Sequence, residues 1–465
     1  MRPARWTLCL LLLLAIGSTW AQPLPPEIES ALERARLPSD AVVLLVAPAD
    51  GRGPPRLSYR ADVPVNPASI AKLATTIAGL DLLGPAFTWR TPIYLGGPVQ
   101  GGTLQGDLYI KGSGDPKLVA EQLWLLLRRV QGLGIRFIAG DIVLDRSAFE
   151  TAASDPGAFD GEPQRPYNAA PDALLVNFKS MVLTFTPVAG QVRVHAEPPL
   201  AGVRVPLTVP ARGGACNDWR AGLLADFADP AQIRFAGSYP LACGERAWPV
   251  AAADPAGFAA RAIAGIWHEI GGRLGGHVRE GTVPPGLTPA FEWSSPTLAE
   301  VVHDINKFSN NLMARQLFLT LSLQQQGVGT AAASRAILRQ WWRERVGGPD
   351  VPTFTNGAGL SREERVTADQ LGRLLQLAWR SPLMPELVSS LPLAGVDGTL
   401  RRARGNGVGM AHLKTGSLRD VAGVAGIVEG ASGSRYVLVA IANGPQAAAA
   451  RPVIEALLDW AVRDQ

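Results

Sequence analysis

The sequence contains few of the side chains that bind metal ions. It has three cysteines and five histidines in 465 residues. No two cysteines have the short spacing of a zinc site. His268-Glu269 lacks a second histidine at the offset that a helical metal site needs. We therefore expect neither a metal ion nor another cofactor.

Charge is also sparse, since only 18% of the residues are charged and the formal net charge is +4. The basic residues are spread along the chain, so the composition does not indicate a nucleic-acid partner. Hydrophobic residues make up 47% of the chain, which is typical of a globular protein with more than one core.

Long apolar runs are missing except near the N-terminus. Arg2 and Arg5 precede an apolar stretch at 8–16, which is too short for a mature membrane anchor. Small residues at Thr19 and Ala21 follow it. This pattern predicts a signal peptide at 1–21, cleaved after Ala21, and a periplasmic protein with no stable membrane span. An uncleaved anchor is the alternative.

Removal of the signal peptide would also remove Cys9 and leave Cys216 and Cys243. An even pair of cysteines in an exported protein indicates a disulfide that closes a local loop. Two buried free thiols are the alternative.

Lysine is rare, which gives weight to one short motif. The lysines are Lys72, Lys111, Lys117, Lys179, Lys307 and Lys414. Among them only Lys72 follows a serine, Ser69, by three residues. In a helix that begins after Pro67, both side chains would lie on one face, a turn apart. Such a pair suits a serine nucleophile activated by a lysine base.

Two further motifs follow in the C-terminal half. Ser309 and Asn311 form S-x-N between two predicted helices, and Lys414-Thr415-Gly416 forms K-T-G on a predicted strand. The three motifs in this order are the signature of serine penicillin-interacting enzymes.

The chemistry of acyl transfer explains the residue types. Ser69 would attack a carbonyl and Lys72 would take its proton. A nearby Lys414 would help to keep Lys72 neutral. Ser309 could relay a proton to the leaving amine, and Asn311 could bind a peptide bond of the substrate.

The K-T-G strand would bind the substrate. Lys414 and Thr415 suit a substrate carboxylate, and Gly416 permits a close backbone approach. The backbone N–H groups of Ser69 and Ser417 are candidates for an oxyanion hole.

Helices and strands of similar character lie at both ends of the chain. We expect residues 22–90 and 291–465 to form one α+β catalytic domain. Between them, residues 91–290 read as a β-rich insertion with an outer module (91–170 and 258–290) and an inner module (171–257).

The chain resembles the class C low-molecular-mass penicillin-binding proteins, which are serine D-Ala-D-Ala carboxypeptidases. Besides the three motifs, the resemblance includes the segments Gly106–Pro116, Asn356–Arg362 and Leu391–Leu400 and covers nearly all of the mature chain. It implies a penicillin-binding, serine β-lactamase-like domain, with an antiparallel sheet between helices and a two-part insertion. It further implies cleavage of peptidoglycan stem peptides and covalent inhibition by β-lactam antibiotics. The balance of carboxypeptidase and endopeptidase action stays open.

The resemblance also implies substrate-binding residues. In the family an Asp of the insertion binds the amino group of a diamino acid, and Asp145 resembles that position. Arg362 resembles an arginine near the site. Arg419 stands where a Gln is common, and Asn356 stands where an Asp is usual. Both departures are expected to alter substrate preference rather than acylation.

Three alternatives deserve comparison. A class A β-lactamase would have its S-x-N much nearer to S-x-x-K. A murein-binding protein without turnover would have no need of all five polar motif residues. A Ser-His-Asp hydrolase is disfavoured by scattered histidines and the lack of a G-x-S-x-G motif.

Overall fold

The computed structural model describes residues 23–152 and 155–464, so the predicted signal peptide and Cys9 lie outside the described residues. The helices in these ranges are α1 Pro26–Ala35, α2 Lys72–Leu83, α3 Ala120–Gly132, α4 Trp219–Gly222, α5 Phe258–Glu269, α6 Leu298–Lys307, α7 Asn311–Gln326, α8 Ala331–Trp341, α9 Ala368–Trp379, α10 Met384–Ser390 and α11 Arg451–Val462. None of these helices combines the length and the apolar character needed to cross a bilayer.

The strands of three or more residues alternate with these helices. They are β1 Val42–Pro48, β2 Leu57–Tyr59, β3 Arg90–Leu95, β4 Leu108–Lys111, β5 Ile142–Asp145, β6 Ser180–Val188, β7 Gln191–Glu197, β8 Arg246–Ala251, β9 Val278–Glu280, β10 Phe291–Ser294, β11 Ala411–Leu418, β12 Val421–Glu429 and β13 Arg435–Asn443.

The catalytic sheet joins the two ends of the chain. Its order is β2-β1-β13-β12-β11, and all neighbours are antiparallel. Strands β11 to β13 form an antiparallel meander, and β1 and β2 form a hairpin. The N-terminal strand β1 lies against β13, with Val42 opposite Ala442.

Both faces of this sheet are covered by helices. Val43 and Leu45 of β1 pack with α2 and α9, whereas Val42 and Leu44 pack with α1 and α11. Successive side chains of a strand point to opposite faces, so apolar residues at every position require cover on both sides. The prediction of an antiparallel sheet between helices is therefore confirmed.

The outer part of the insertion combines strands with two helices, α3 and α5, that the sequence analysis did not predict. Its main sheet has the order β9-β5-β4-β3-β10, with β9, β5 and β4 parallel. Helices α3 and α5 pack on this sheet and share one apolar core with it. Four apolar residues of α3 have helical spacing: Leu123, Leu126, Leu127 and Val130. In the sequence they are surrounded by glycine-rich turns and short strands, which hid the helix. The unit also extends beyond residue 290, because β10 pairs with β3.

The inner part of the insertion has a separate core around Phe185 and Tyr239. Strands β6, β7 and β8 form its sheet with a short strand at Thr208–Val209. Cys216 and Cys243 are bonded across a sequence separation of 27 residues, as predicted. Because the two cores are distinct, we propose the same division into two modules, with the outer one extended to Ser294.

Candidate active site

Ser69 lies in a short 3-10 turn, Ala68–Ala71, that leads directly into α2. The backbone of Ala68 has a φ of 47°, a left-handed conformation that is costly for a residue other than glycine. The Asn66 side chain holds this turn, because its Oδ1 accepts a hydrogen bond from the Ala68 N–H at 2.8 Å. The local structure therefore fixes the direction of the Ser69 hydroxyl.

Lys72, at the first position of α2, contacts that hydroxyl. Its Nζ donates to Ser69 Oγ at 2.7 Å and to Asn311 Oδ1 at 2.6 Å. A third bond goes to the backbone carbonyl of Ala358. The Lys72 side chain is completely buried, and burial lowers the pKa of its amine from 10.5 to about 7, against the opposing charge of Glu364. A neutral amine is thus accessible near neutral pH.

Lys414 forms a second buried amine beside the first. Its Nζ donates to Ser309 Oγ at 2.8 Å and to the Thr415 carbonyl at 2.7 Å. Burial and then the positive charge of Lys72 hold the pKa of Lys414 well below its usual value. For both lysines burial is the main cause of the lowered pKa, whereas the sequence analysis emphasised repulsion between them.

Strand β11 runs very close to the Ser69 turn. A Cβ atom on Gly416 would lie 2.5 Å from the Pro67 carbonyl oxygen, so only glycine fits there. Thr415 uses its hydroxyl to donate to Thr399 Oγ1 at 2.8 Å. Ser417 follows on the same face of the strand as Thr415, because strand side chains alternate.

The motif residues surround one large cavity. Its volume is about 1930 Å³, and Ser69, Ser309, Asn311 and Ser417 line it. The fold therefore brings together three segments that are far apart in the sequence. Within the described ranges, no group of three or more His, Cys, Asp or Glu side chains is arranged to hold a metal ion.

Asp145 is buried and is not among the residues that line this cavity. It ends β5 with only 2% of its surface exposed. Its carboxylate accepts hydrogen bonds from the backbone N–H groups of Ser147 at 2.9 Å and Val283 at 3.0 Å. Burial alone would raise the pKa of Asp145, but these bonds and the charge of Lys111 outweigh it and lower the pKa. The residue stabilises a turn.

Asp160 is one of several acidic residues of the insertion that line the cavity, and it lies next to Phe159. It is exposed, and its Oδ2 accepts a hydrogen bond from the Tyr167 hydroxyl at 2.8 Å. Burial would raise the pKa of Asp160, but the bonds from Tyr167, Glu162 and Asn168 lower it. The sequence analysis missed Asp160 because it lies in a loop with no periodic pattern.

Arg362 and Arg419 line the same cavity. The Arg362 guanidinium lies 5.5 Å from the centre of the Phe159 ring, and its Nη1 is 3.3 Å from Asp420 Oδ1. The cavity is thus lined by acidic residues of the insertion, among them Asp160, and by arginines that include Arg362 and Arg419 of the catalytic domain.

Comparisons with known proteins agree with this geometry. The D-alanyl-D-alanine carboxypeptidase of Actinomadura sp. (strain R39) is 30% identical over 392 residues, which cover 79% of this chain and 71% of that protein. The crystal structure of penicillin binding protein 4 from Haemophilus influenzae matches with a TM-score of 0.76 at 21% identity and covers 94% of this chain and 99% of that one. A penicillin G-acylated predatory endopeptidase from Bdellovibrio bacteriovorus matches with a TM-score of 0.52 at 15% identity, covering 90% of each chain.

A family model gives the broadest match. The model of the D-Ala-D-Ala carboxypeptidase 3 (S13) family matches residues 24–464, which is nearly every residue that the structure describes. The chain therefore belongs to the S13 family of D-Ala-D-Ala carboxypeptidases.

Proposed function

We propose that this protein is a periplasmic serine DD-peptidase that cleaves the D-Ala-D-Ala end of murein stem peptides through a Ser69 acyl-enzyme. One observation carries the proposal: the buried Lys72 amine donates to Ser69 Oγ at 2.7 Å, in the cavity that Ser309 and Asn311 also line. A serine hydroxyl needs an adjacent base to become a nucleophile, and here the base is in contact with it.

In the acylation step, Ser69 Oγ attacks the carbonyl carbon of the penultimate D-Ala. A C–O bond forms while the hydroxyl proton moves to the neutral Lys72 amine. The backbone N–H groups of Ser69 and Ser417 stabilise the resulting oxyanion. Asn311 keeps the Lys72 amine in place through its Oδ1 and presents its amide to the peptide.

The C–N bond then breaks, and the terminal D-Ala leaves as an amine that must gain a proton. Ser309 lies in contact with Lys414 and lines the cavity, so it relays a proton from the buried amines to the leaving group. Water subsequently attacks the acyl-enzyme and restores Ser69. A penicillin follows the same first step, and its acyl group leaves slowly.

The charges of the cavity suit a substrate that carries charges of both signs. Asp160 replaces Asp145 as the group for an amino group of the stem-peptide side chain. Arg362 and Arg419 offer guanidinium groups for carboxylates. These roles explain why the cavity is charged at positions away from Ser69.

The size of the cavity favours cross-linked peptides as a second substrate class. A typical pocket for a small ligand has a volume of about 300–1,000 Å³, and this cavity measures about 1930 Å³. In such a substrate the leaving group is the amine of a diamino acid instead of D-Ala.

The test uses a fluorescent penicillin and purified murein. The wild-type protein should become labelled on Ser69 and release D-Ala or separated stem peptides, identified by mass spectrometry. Ser69→Ala should abolish both reactions, while the remote Ser381→Ala should retain both. Peptide cleavage by the Ser69→Ala protein would refute the assignment, and a wild-type protein that binds murein without either reaction would be a non-catalytic binder.

A further inference from the structure

Glu364 is a fully buried carboxylate that the acyl-transfer steps above do not use. Its side chain has 0% of its surface exposed. Oε1 accepts hydrogen bonds from the Thr355 N–H at 3.3 Å and the Thr355 hydroxyl at 3.0 Å. Oε2 is buried and has no hydrogen-bond partner among the described residues. Such burial is costly for a carboxylate, so its presence behind the active site requires a reason.

The contacts of Glu364 lead to the catalytic amine through one loop. Thr355 begins the segment that contains Ala358, whose carbonyl accepts the third hydrogen bond of Lys72. Within the loop, Asn356 Oδ1 accepts from the Ala358 N–H at 2.9 Å. From α2, the Thr75 hydroxyl donates to the Gly357 carbonyl at 2.7 Å. By holding Thr355, Glu364 fixes the end of the loop that is not already held by α2.

The charges around the two groups also connect them. The positive charge of Lys72 lowers the pKa of Glu364, and the negative charge of Glu364 raises the pKa of Lys72. Arg335 donates to the Thr355 carbonyl at 3.1 Å, and Arg365 donates to the backbone carbonyls of Arg362 at 2.8 Å and Glu364 at 2.7 Å. Lys72 also interacts with the Lys414 amine, because the charge of Lys72 lowers the pKa of Lys414.

Burial raises the pKa of Glu364 to about 7, and the hydrogen bonds from Thr355 and the charge of Lys72 oppose this rise. The pKa of Lys72 is also about 7, so the two groups titrate together over the same pH range.

We propose that Glu364 is a positioning residue for Lys72: it anchors the loop that presents the Ala358 carbonyl and supplies the negative charge that faces the amine. The inference rests on the proposed role of Lys72 as the proton acceptor. In this role Glu364, a residue outside the three motifs, helps to set the pH at which acylation begins.

The experiment measures the rate of Ser69 acylation by a fluorescent penicillin between pH 5 and pH 9. Glu364→Gln keeps an oxygen that can accept from Thr355 but removes the charge. Since that charge stabilises the protonated amine, its loss should move the acidic limb of the rate profile to lower pH by about one unit. A residue that only supports the fold would change the maximum rate and leave the position of the limb unchanged.

Two more variants separate charge from anchoring. Glu364→Asp keeps the charge on a shorter side chain, so the limb should stay near its wild-type pH while the maximum rate falls. Glu363→Gln removes the same charge from the exposed neighbouring position and should leave the profile unchanged.

The inference is overturned if the Glu364→Gln limb superposes on that of the wild type, or if Glu363→Gln moves the limb equally. If Glu364→Gln does not fold, Glu364→Asp alone decides the question. An acidic limb that lies at lower pH in Glu364→Asp than in the wild type would contradict the role of the charge. A wild-type protein that is never acylated would refute the proposed function, which is a different result from an unshifted limb.

Discussion

Replacement of Lys72 by methionine tests whether the buried amine is neutral in the folded protein. Methionine fills a similar volume without a titratable group, so the variant should lose penicillin acylation. Its stability should also respond differently to pH. The pKa of Lys72 is about 7 in the folded protein and 10.5 by reference, so above pH 7 the unfolded chain binds one more proton than the folded chain.

The sign follows from this difference in bound protons. A group that binds more protons in the unfolded state makes the free energy of unfolding rise with pH, by about 1.4 kcal/mol per pH unit for one proton. Between pH 7.5 and 9.5 the stability of the wild type relative to Lys72→Met should therefore rise by roughly 3 kcal/mol. This window lies above the pKa of Glu364, which is about 7, so that group contributes little to the change.

Guanidinium unfolding at the two pH values, followed by tryptophan fluorescence, measures the effect. Comparison of the two proteins cancels the titration of the shared groups that do not interact with Lys72; Lys414 and Glu364 are the exceptions, because the charge of Lys72 lowers the pKa of both. Ser69→Ala is the control, because it removes the acylation reaction and keeps the amine, so it should retain the wild-type pH dependence. A difference between wild type and Lys72→Met that is flat from pH 7.5 to 9.5 would mean that Lys72 stays protonated in the fold, and the base mechanism would be wrong.

Three other changes give distinct results. Asp160→Asn should lower kcat/KM for stem peptides with a diamino acid by about 10-fold and leave penicillin acylation unchanged. Asp145→Asn should instead lower the melting temperature, because Asp145 stabilises a turn. Equal peptide kinetics for the two variants would contradict the position of Asp160. Gly416→Ala should slow acylation at least 10-fold, because its Cβ would lie 2.5 Å from the Pro67 carbonyl oxygen, and an unchanged acylation rate would show that the Ser69 turn can move aside. The double change Cys216→Ser and Cys243→Ser should destabilise the inner module by about 3 kcal/mol for a loop of this length, which limited proteolysis would detect. Ser69 should remain reactive to penicillin labelling. Loss of labelling would instead connect the module to catalysis.

The elements of the catalytic domain were predictable because their signals are local. A capping box of Thr297 and Glu300 begins α6, and another of Thr367 and Gln370 begins α9. The apolar strands near the C-terminus likewise form an antiparallel meander. The three motifs meet because the sheet joins both ends of the chain. The similar helices and strands at the two ends indicated that they form one domain.

The features that the sequence did not reveal depend on distant contacts. Asp145 and Asp160 are both acidic residues of the insertion, and only the fold determines which of them is enclosed by backbone N–H groups and which faces the cavity. Glu364 was not singled out because its burial depends on α2 and the loop that begins at Thr355. The helices of the outer module were missed because short strands and glycines surround them.

The pairing of β1 with β13 has a consequence for the order in which the enzyme is made. Val42 lies opposite Ala442, so β1 cannot pair with its neighbour in the catalytic sheet until β13 has been made. A growing polypeptide already carries Ser69 before it contains Lys414 and the strand beside it. The newly made protein therefore acquires its acyl-transfer site only after β13 has been synthesised.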